Sequence, residues 1–170
     1  MSVLLVHDTE NVRILTLNRP DVRNALSQEL RERLLEALLE TLNDKTIRAV
    51  ILTGAGKIFC AGMDLAELET LQQKSYEENL EDATRLGQLF ELIYTFPKPV
   101  IAAVNGHAVA GGAGLASVCD FVVMSEEANL GYSEVKLGFV AALVSVFLIR
   151  QVGERRSRDL LLSARLIEAK

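Results

Sequence analysis

The stretch "AVNGHAVAGGAGLASVCD" (103–120) carries four of the chain's eleven glycines, Gly106, Gly111, Gly112 and Gly114. It follows an apolar run, Val100-Ile101-Ala102-Ala103-Val104, and passes directly into Leu115 and Ala116. A buried strand that ends in glycines and then launches a helix is a junction expected of an α/β protein. Glycine lets a backbone N–H approach a ligand without a Cβ in the way. A helix starting near Gly112 leaves its first N–H groups without intrahelical partners and aims them back at that ligand. Such an arrangement suits an oxyanion. Taken singly, the same glycines also fit plain tight packing.

A second turn of the same character stands upstream. "CAGMD" (60–64) has a strand end, small residues and then a helix-prone stretch. Two exposed N–H groups from two such turns would make an oxyanion hole. Other glycine-rich explanations fail on spacing. Gly112-Ala113-Gly114 begins a dinucleotide fingerprint, but Ser117 stands where its third glycine belongs. "GAGK" (54–57) lacks the flanking residues of a phosphate loop. No G-x-S-x-G elbow occurs, and His7 and His107 are the only histidines a serine triad could use.

The remaining chain reads as strands alternating with helices. Val3–Val6 and Val12–Leu17, separated by polar "HDTEN", predict a hairpin. Ser27 is placed to cap a helix over 28–42, whose stripe is Leu30, Leu34, Leu35, Leu38, Leu39 and Leu42. Ala49–Leu52 predicts a short buried strand. A helix over 80–93 presents Leu80, Ala83, Leu86, Leu89, Phe90 and Ile93 and is stopped by "FPKP". Strands at 100–104 and 121–124, an apolar helix near 141–151 and a basic helix start at 155–158 complete the order. Fully apolar strands in this order imply parallel crossovers. The chain closes at "LIEAK" with no further element, so the reading expects one core domain over 1–170, cut short at its C-terminal side.

The 170 residues suffice for one domain with a sizeable core, and the net charge is −5. An acidic balance argues against nucleic acid or an anionic membrane as partner. Cys60 and Cys119 sit among apolar or small residues and read as buried thiols, neither a disulfide nor a metal site. The N-terminus lacks a basic n-region, and "FVAALVSVFLI" (139–149) is too short to span a bilayer. The expected compartment is the cytoplasm.

Four stretches together resemble the crotonase (enoyl-CoA hydratase/isomerase) family: "LNRPDVRNALS" (17–27), "AVILTGAGKIFCAGMDL" (49–65), "PKPVIAAVNGHAVAGGAGLASVCDFVV" (97–123) and "ANLGYSEVKLGF" (128–139). They keep the family order and cover nearly the whole chain. The resemblance implies a spiral of β-β-α turns, a homo-trimer or dimer of trimers, an acyl-CoA thioester substrate and no separate cofactor. It puts the oxyanion-hole N–H groups at Met63 and Gly111. It lines the substrate path with Ala25, Ala61, Gly62, Asp64, Leu65 and Gly114. The family's C-terminal helices would lie beyond Lys170.

The family's hydratases usually employ two glutamates. One matches Glu134; the other falls where this chain has Gly114. Glu134 stands among Leu130, Gly131, Val135 and Leu137, a setting that raises a carboxyl pKa and suits it to proton transfer. The first reading is therefore hydration of a 2-enoyl-CoA through an enolate. The rivals are Δ3-Δ2 enoyl-CoA isomerisation by Glu134 alone and acyl-CoA binding without turnover. A second departure is Ala141, where relatives commonly carry proline. Asp120 reads as a structural hydrogen-bond partner, "LETLQQKSYEENLEDATRL" as one wall of the acyl pocket, and Arg19, Arg23, Lys57 and Lys98 as candidates for the CoA phosphates.

Overall fold

The computed structural model describes residues 2–170. β1 (Leu4–Thr9) and β2 (Val12–Leu17) form the expected hairpin, antiparallel from Leu4 opposite Leu17 to Thr9 opposite Val12. α1 (Gln28–Asn43) follows. From there the chain repeats one unit three times: a strand in a large sheet, a short strand in a small sheet, then a helical segment. The first unit is β3 (Ala49–Gly54), β4 (Ile58–Cys60), α2 (Leu65–Thr70) and α3 (Tyr76–Tyr94). The second is β5 (Val100–Val104), β6 (His107–Val109) and α4 (Gly111–Ser117). The third is β7 (Phe121–Met124), β8 (Asn129–Gly131), a 3-10 turn over Glu134–Leu137, α5 (Ala142–Val152) and α6 (Glu154–Ser163).

The large sheet runs β1-β2-β3-β5-β7, parallel from β2 onward. The small sheet runs β4-β6-β8-β9, where β9 (Ile167–Glu168) pairs antiparallel with β8. β9 corrects the expectation that nothing follows the last helix. Two residues are too few to carry a period in the sequence. The apolar run of β7 is not buried. Phe121, Val122 and Val123 are all exposed, because β7 is the last strand of its sheet and pairs with β5 alone.

The core lies between the sheets and under α1, α3 and α5. Leu30, Leu34 and Leu38 recur every fourth residue on α1 and are at most 1% exposed. Trimming one such leucine to alanine typically costs about 2–5 kcal/mol. Leu39 and Leu42 face outward, so the buried stripe is narrower than the sequence suggests. Ser27 Oγ accepts from Leu30 N at 3.3 Å, as a cap should. α3 starts four residues earlier than its apolar pattern, because Ser75 and Glu78 form a capping box. Asp120 locks the start of β5: Val100 N donates to its Oδ2 at 2.8 Å, and Asp120 N donates to Val100 O at 2.9 Å. Cys60 and Cys119 are buried, and burial pushes both thiols up to about 12. Among the described residues no helix is long and apolar enough to cross a membrane.

Candidate active site

The small sheet places the site. Its parallel strands β4, β6 and β8 lie side by side. Just past their ends stand Met63, Gly111 and Glu134 respectively. All three line one cavity of about 270 Å³. Apart from Ser133, its other walls are apolar, including Leu68 from α2, Leu86 and Phe90 from α3, and Leu143 and Val144 from α5. The expected wall over 68–86 thus supplies Leu68 and Leu86 rather than its charged residues.

The two glycine turns meet because backbone must touch backbone. Gly62 has φ +93°, and a Cβ there would stand 3.0 Å from Gly111 N and from the Ala110 Cβ. A Cβ on Gly112 would lie 2.2 Å from Cys60 O. A Cβ on Gly111 meets nothing closer than 3.6 Å, and Met63 N is 3.7 Å from that point. Neither the Met63 nor the Gly111 N–H is taken by the turn contacts around it. Leu26 N donates to Gly62 O at 2.8 Å, Ala110 N to Gly131 O at 2.8 Å, and Gly114 N to Ala110 O at 3.0 Å. The bridge of Leu26 with Met63 holds the first turn in place.

Ala110 turns β6 into α4 with φ 51° and ψ −126°, a region that costs a non-glycine residue about 1–3 kcal/mol. Strain at that point sets the direction of the Gly111 N–H. No residue type in the sequence announces it, since alanine is not a turn former.

Glu134 opens the 3-10 turn after β8. Its Oε2 is buried without a hydrogen-bond partner. Burial raises its pKa, and its own backbone N–H offsets only part of that. Burial that favours the neutral carboxyl lets Glu134 hold a proton more readily than a free glutamate does, which suits it to proton transfer. Two residues earlier, Tyr132 is 1% exposed and its hydroxyl bonds Ser117 Oγ on α4. Ser117 Oγ already donates to Ala113 O at 2.7 Å, so Tyr132 is the donor. Burial pushes the phenol up to about 12, which keeps that proton in place. The pair ties the Glu134 turn to the helix that begins at Gly111. The sequence reading passed over Tyr132; its large ring between Gly131 and Ser133 was the available signal.

The residues read as lining a substrate path divide. Ala25, Ala61, Asp64 and Leu65 lie along an open cleft of about 860 Å³, which meets the cavity at Ala61, Met63, Leu65 and Leu137. Gly62 and Gly114 line neither space. Gly62 is consumed by the contact between the two turns. Gly114 faces the core: a Cβ there would stand 2.5 Å from Val144 Cγ2 and 3.1 Å from Phe90 Cε1. Val144 thus fills the space into which a side chain at position 114 would extend. The Asp64 carboxylate is engaged by Arg19 at 2.8 Å and by Ala66 N at 3.1 Å, where it caps α2. Arg19 also donates to Ala25 O at 2.7 Å, which ties it to its own loop. Lys98 is likewise committed, donating to Asp44 O at 2.6 Å and to Thr41 O. Lys57 lines neither space, whereas Arg23 borders the cleft. Asn24 Nδ2 donates to Ala55 O and Ile58 O at 2.9 and 2.7 Å, fixing the loop that carries Arg23 and Ala25.

Comparison with known proteins agrees with this geometry. The family model for enoyl-CoA hydratase/isomerase matches residues 7–170. A provisionally named enoyl-CoA hydratase of Thermus thermophilus is 57% identical over 160 residues, 94% of this chain and 63% of that protein. The 2,3-dehydroadipyl-CoA hydratase of Escherichia coli is 39% identical over 170 residues, 99% of this chain and 65% of that one. Among solved structures, a provisionally named enoyl-CoA hydratase/isomerase (crotonase) from Legionella pneumophila superposes with a TM-score of 0.95 at 40% identity. It is covered over 65% of its length by 99% of this chain. The chain spans less than two thirds of each of these relatives. A spiral of β-β-α units, two unclaimed amides beside a lone buried carboxyl, and the family match over nearly all residues agree: the chain belongs to the enoyl-CoA hydratase/isomerase family.

Proposed function

We propose that this protein is an enoyl-CoA hydratase that adds water across the 2,3-double bond of a 2-enoyl-CoA. One observation carries the reading: the Met63 and Gly111 amides and the unpaired Glu134 carboxyl line a single apolar cavity. The thioester oxygen would sit between the two amides, which stabilise its growing negative charge without reorganising. Losing one such donor typically costs about 10²–10³ in rate. Glu134 would take a proton from water as the oxygen adds to Cβ, then return it to Cα as the enolate collapses. The acyl chain would lie in the cavity and the CoA portion in the open cleft, with Arg23 at its border.

Gly114 favours one alternative. With Val144 filling the space beside Gly114, Glu134 alone could carry a proton between Cα and Cγ, which is Δ3-Δ2 isomerisation. The test uses both substrates. A hydratase consumes the conjugated-thioester absorbance of a 2-enoyl-CoA, whereas an isomerase generates it from a 3-enoyl-CoA. Glu134→Gln should lower kcat by about 10²–10⁴ with little change in ligand binding. Undiminished hydration in that variant would remove Glu134 from the mechanism.

A further inference from the structure

A carboxyl that takes a proton from water grips that water by one hydrogen bond, and a second polar contact would fix the aim of its oxygen at Cβ. Position 114, a glycine, offers no side chain for that contact. The cavity contains one other polar side chain. Of its lining residues only Ser133 and Glu134 are polar, and they are adjacent in the chain. Ser133 stands at the N-cap of the 3-10 turn that begins with Glu134, yet its hydroxyl caps no N–H of that turn. A serine at an N-cap ordinarily spends its oxygen on the backbone. This one is half-buried, borders the cavity and remains uncommitted.

Resting on the hydratase reading, we propose that Ser133 is the second positioning group for the attacking water, replacing the side chain that Gly114 lacks. A hydroxyl can donate one hydrogen bond and accept two, so it can hold a water that is also giving a proton to a carboxylate. In the step, the water oxygen bonds Cβ as one water proton passes to Glu134. The C2=C3 π pair moves toward the thioester, whose oxygen becomes the enolate. Glu134 then returns the same proton to Cα, the enolate oxygen gives its charge back, and H and OH have been added. Ser133 ends as it began. Isomerisation, which moves a proton between carbons and uses no water, has no such need of it.

The experiment measures hydration of 2-enoyl-CoA and isomerisation of 3-enoyl-CoA in the wild type, Ser133→Ala and Ser133→Thr. In Ser133→Ala, hydration kcat should fall about tenfold, the scale of one hydrogen bond near a developing charge, with KM within about twofold. The ratio of hydration to isomerisation should drop by nearly the same factor. Ser133→Thr, which keeps the hydroxyl, should recover most of the loss. Hydration in Ser133→Ala within about twofold of wild type overturns the assignment. So does an equal fall in both reactions, which would mean that Ser133 only shapes the Glu134 turn. A wild type that isomerises but does not hydrate overturns the hydratase reading and this inference together. A wild type that hydrates while Ser133→Ala does so equally removes this inference alone.

Discussion

Adding one methyl at position 114 tests why the cavity holds a single carboxyl. In Gly114→Ala the new Cβ would stand 2.5 Å from Val144 Cγ2, 3.3 Å from Val144 Cγ1 and 3.1 Å from Phe90 Cε1. Carbon atoms pack favourably at about 3.5–4.0 Å, so the worst contact is about 1 Å too close. Neither neighbour can swing away cheaply. Val144 is β-branched on a helix, with one strongly preferred rotamer, and is 5% exposed; Phe90 is 1% exposed. Overpacking of this kind costs about 1–3 kcal/mol, against which alanine in a helix regains up to about 1 kcal/mol. The net loss should be about 1–2 kcal/mol, read by urea unfolding followed by far-UV circular dichroism. Val144→Ala alone removes two methyl groups and should cost at least about 1.6 kcal/mol at about 0.8 kcal/mol each. In the double variant the two defects fit one another, and a favourable coupling of about 1–2 kcal/mol is expected. A Gly114→Ala variant as stable as wild type, or a strictly additive double variant, would refute the claim that Val144 fills this place. By the same contacts, Gly114→Glu alone should lose stability without gaining hydration rate.

Three further outcomes follow from the described contacts. Burial raises the Glu134 pKa in the folded chain, so its contribution to stability is greatest below the ordinary glutamate value and declines as pH rises through the raised one. Glu134→Gln should therefore melt above wild type near neutral pH, with the gap closing in acid; a pH-independent gap would contradict this. Gly112→Ala should destabilise by more than about 1–3 kcal/mol and abolish turnover, because its Cβ meets the Cys60 carbonyl at 2.2 Å and forces two backbones apart; Gly111→Ala, with nothing nearer than 3.6 Å, should fold normally, and differential scanning calorimetry separates the two. Tyr132→Phe removes the donor to Ser117 and should cost about 0.5–1.5 kcal/mol and lower kcat with KM held, which steady-state kinetics would show.

Much of the fold was legible because its signals are local. The strand runs at 49–52 and 100–104, the glycine turns and the α1 leucines each state their structure within a few residues. Asp120 could be read as structural because it sits alone beside a strand. What escaped depends on distant neighbours. The exposure of β7 follows from its place in the sheet order, and β9 exists only because β8 has a free edge. Within the site, the family resemblance named Met63, Gly111 and Glu134, and the fold brings all three to one cavity. The engagement of Asp64 with Arg19, the filling of Gly114's space by Val144 and the Tyr132–Ser117 bond join segments up to 45 residues apart. The Ala110 backbone conformation was invisible for a different reason, since strain leaves no mark on composition.

The three strands that end at the site also act as a ruler. Neighbouring strands lie about 4.8 Å apart, so β4 and β6 are one graduation from each other and β8 is the next. On the proposed reading, a thioester oxygen held at the first two marks would point its carbon chain toward the third, where Glu134 and the apolar wall of α5 stand. The order of strands, more than any one side chain, would then set the direction in which the substrate lies. Rewriting the tip of β8 would change which carbon is protonated, while the tips of β4 and β6 kept hold of the same oxygen.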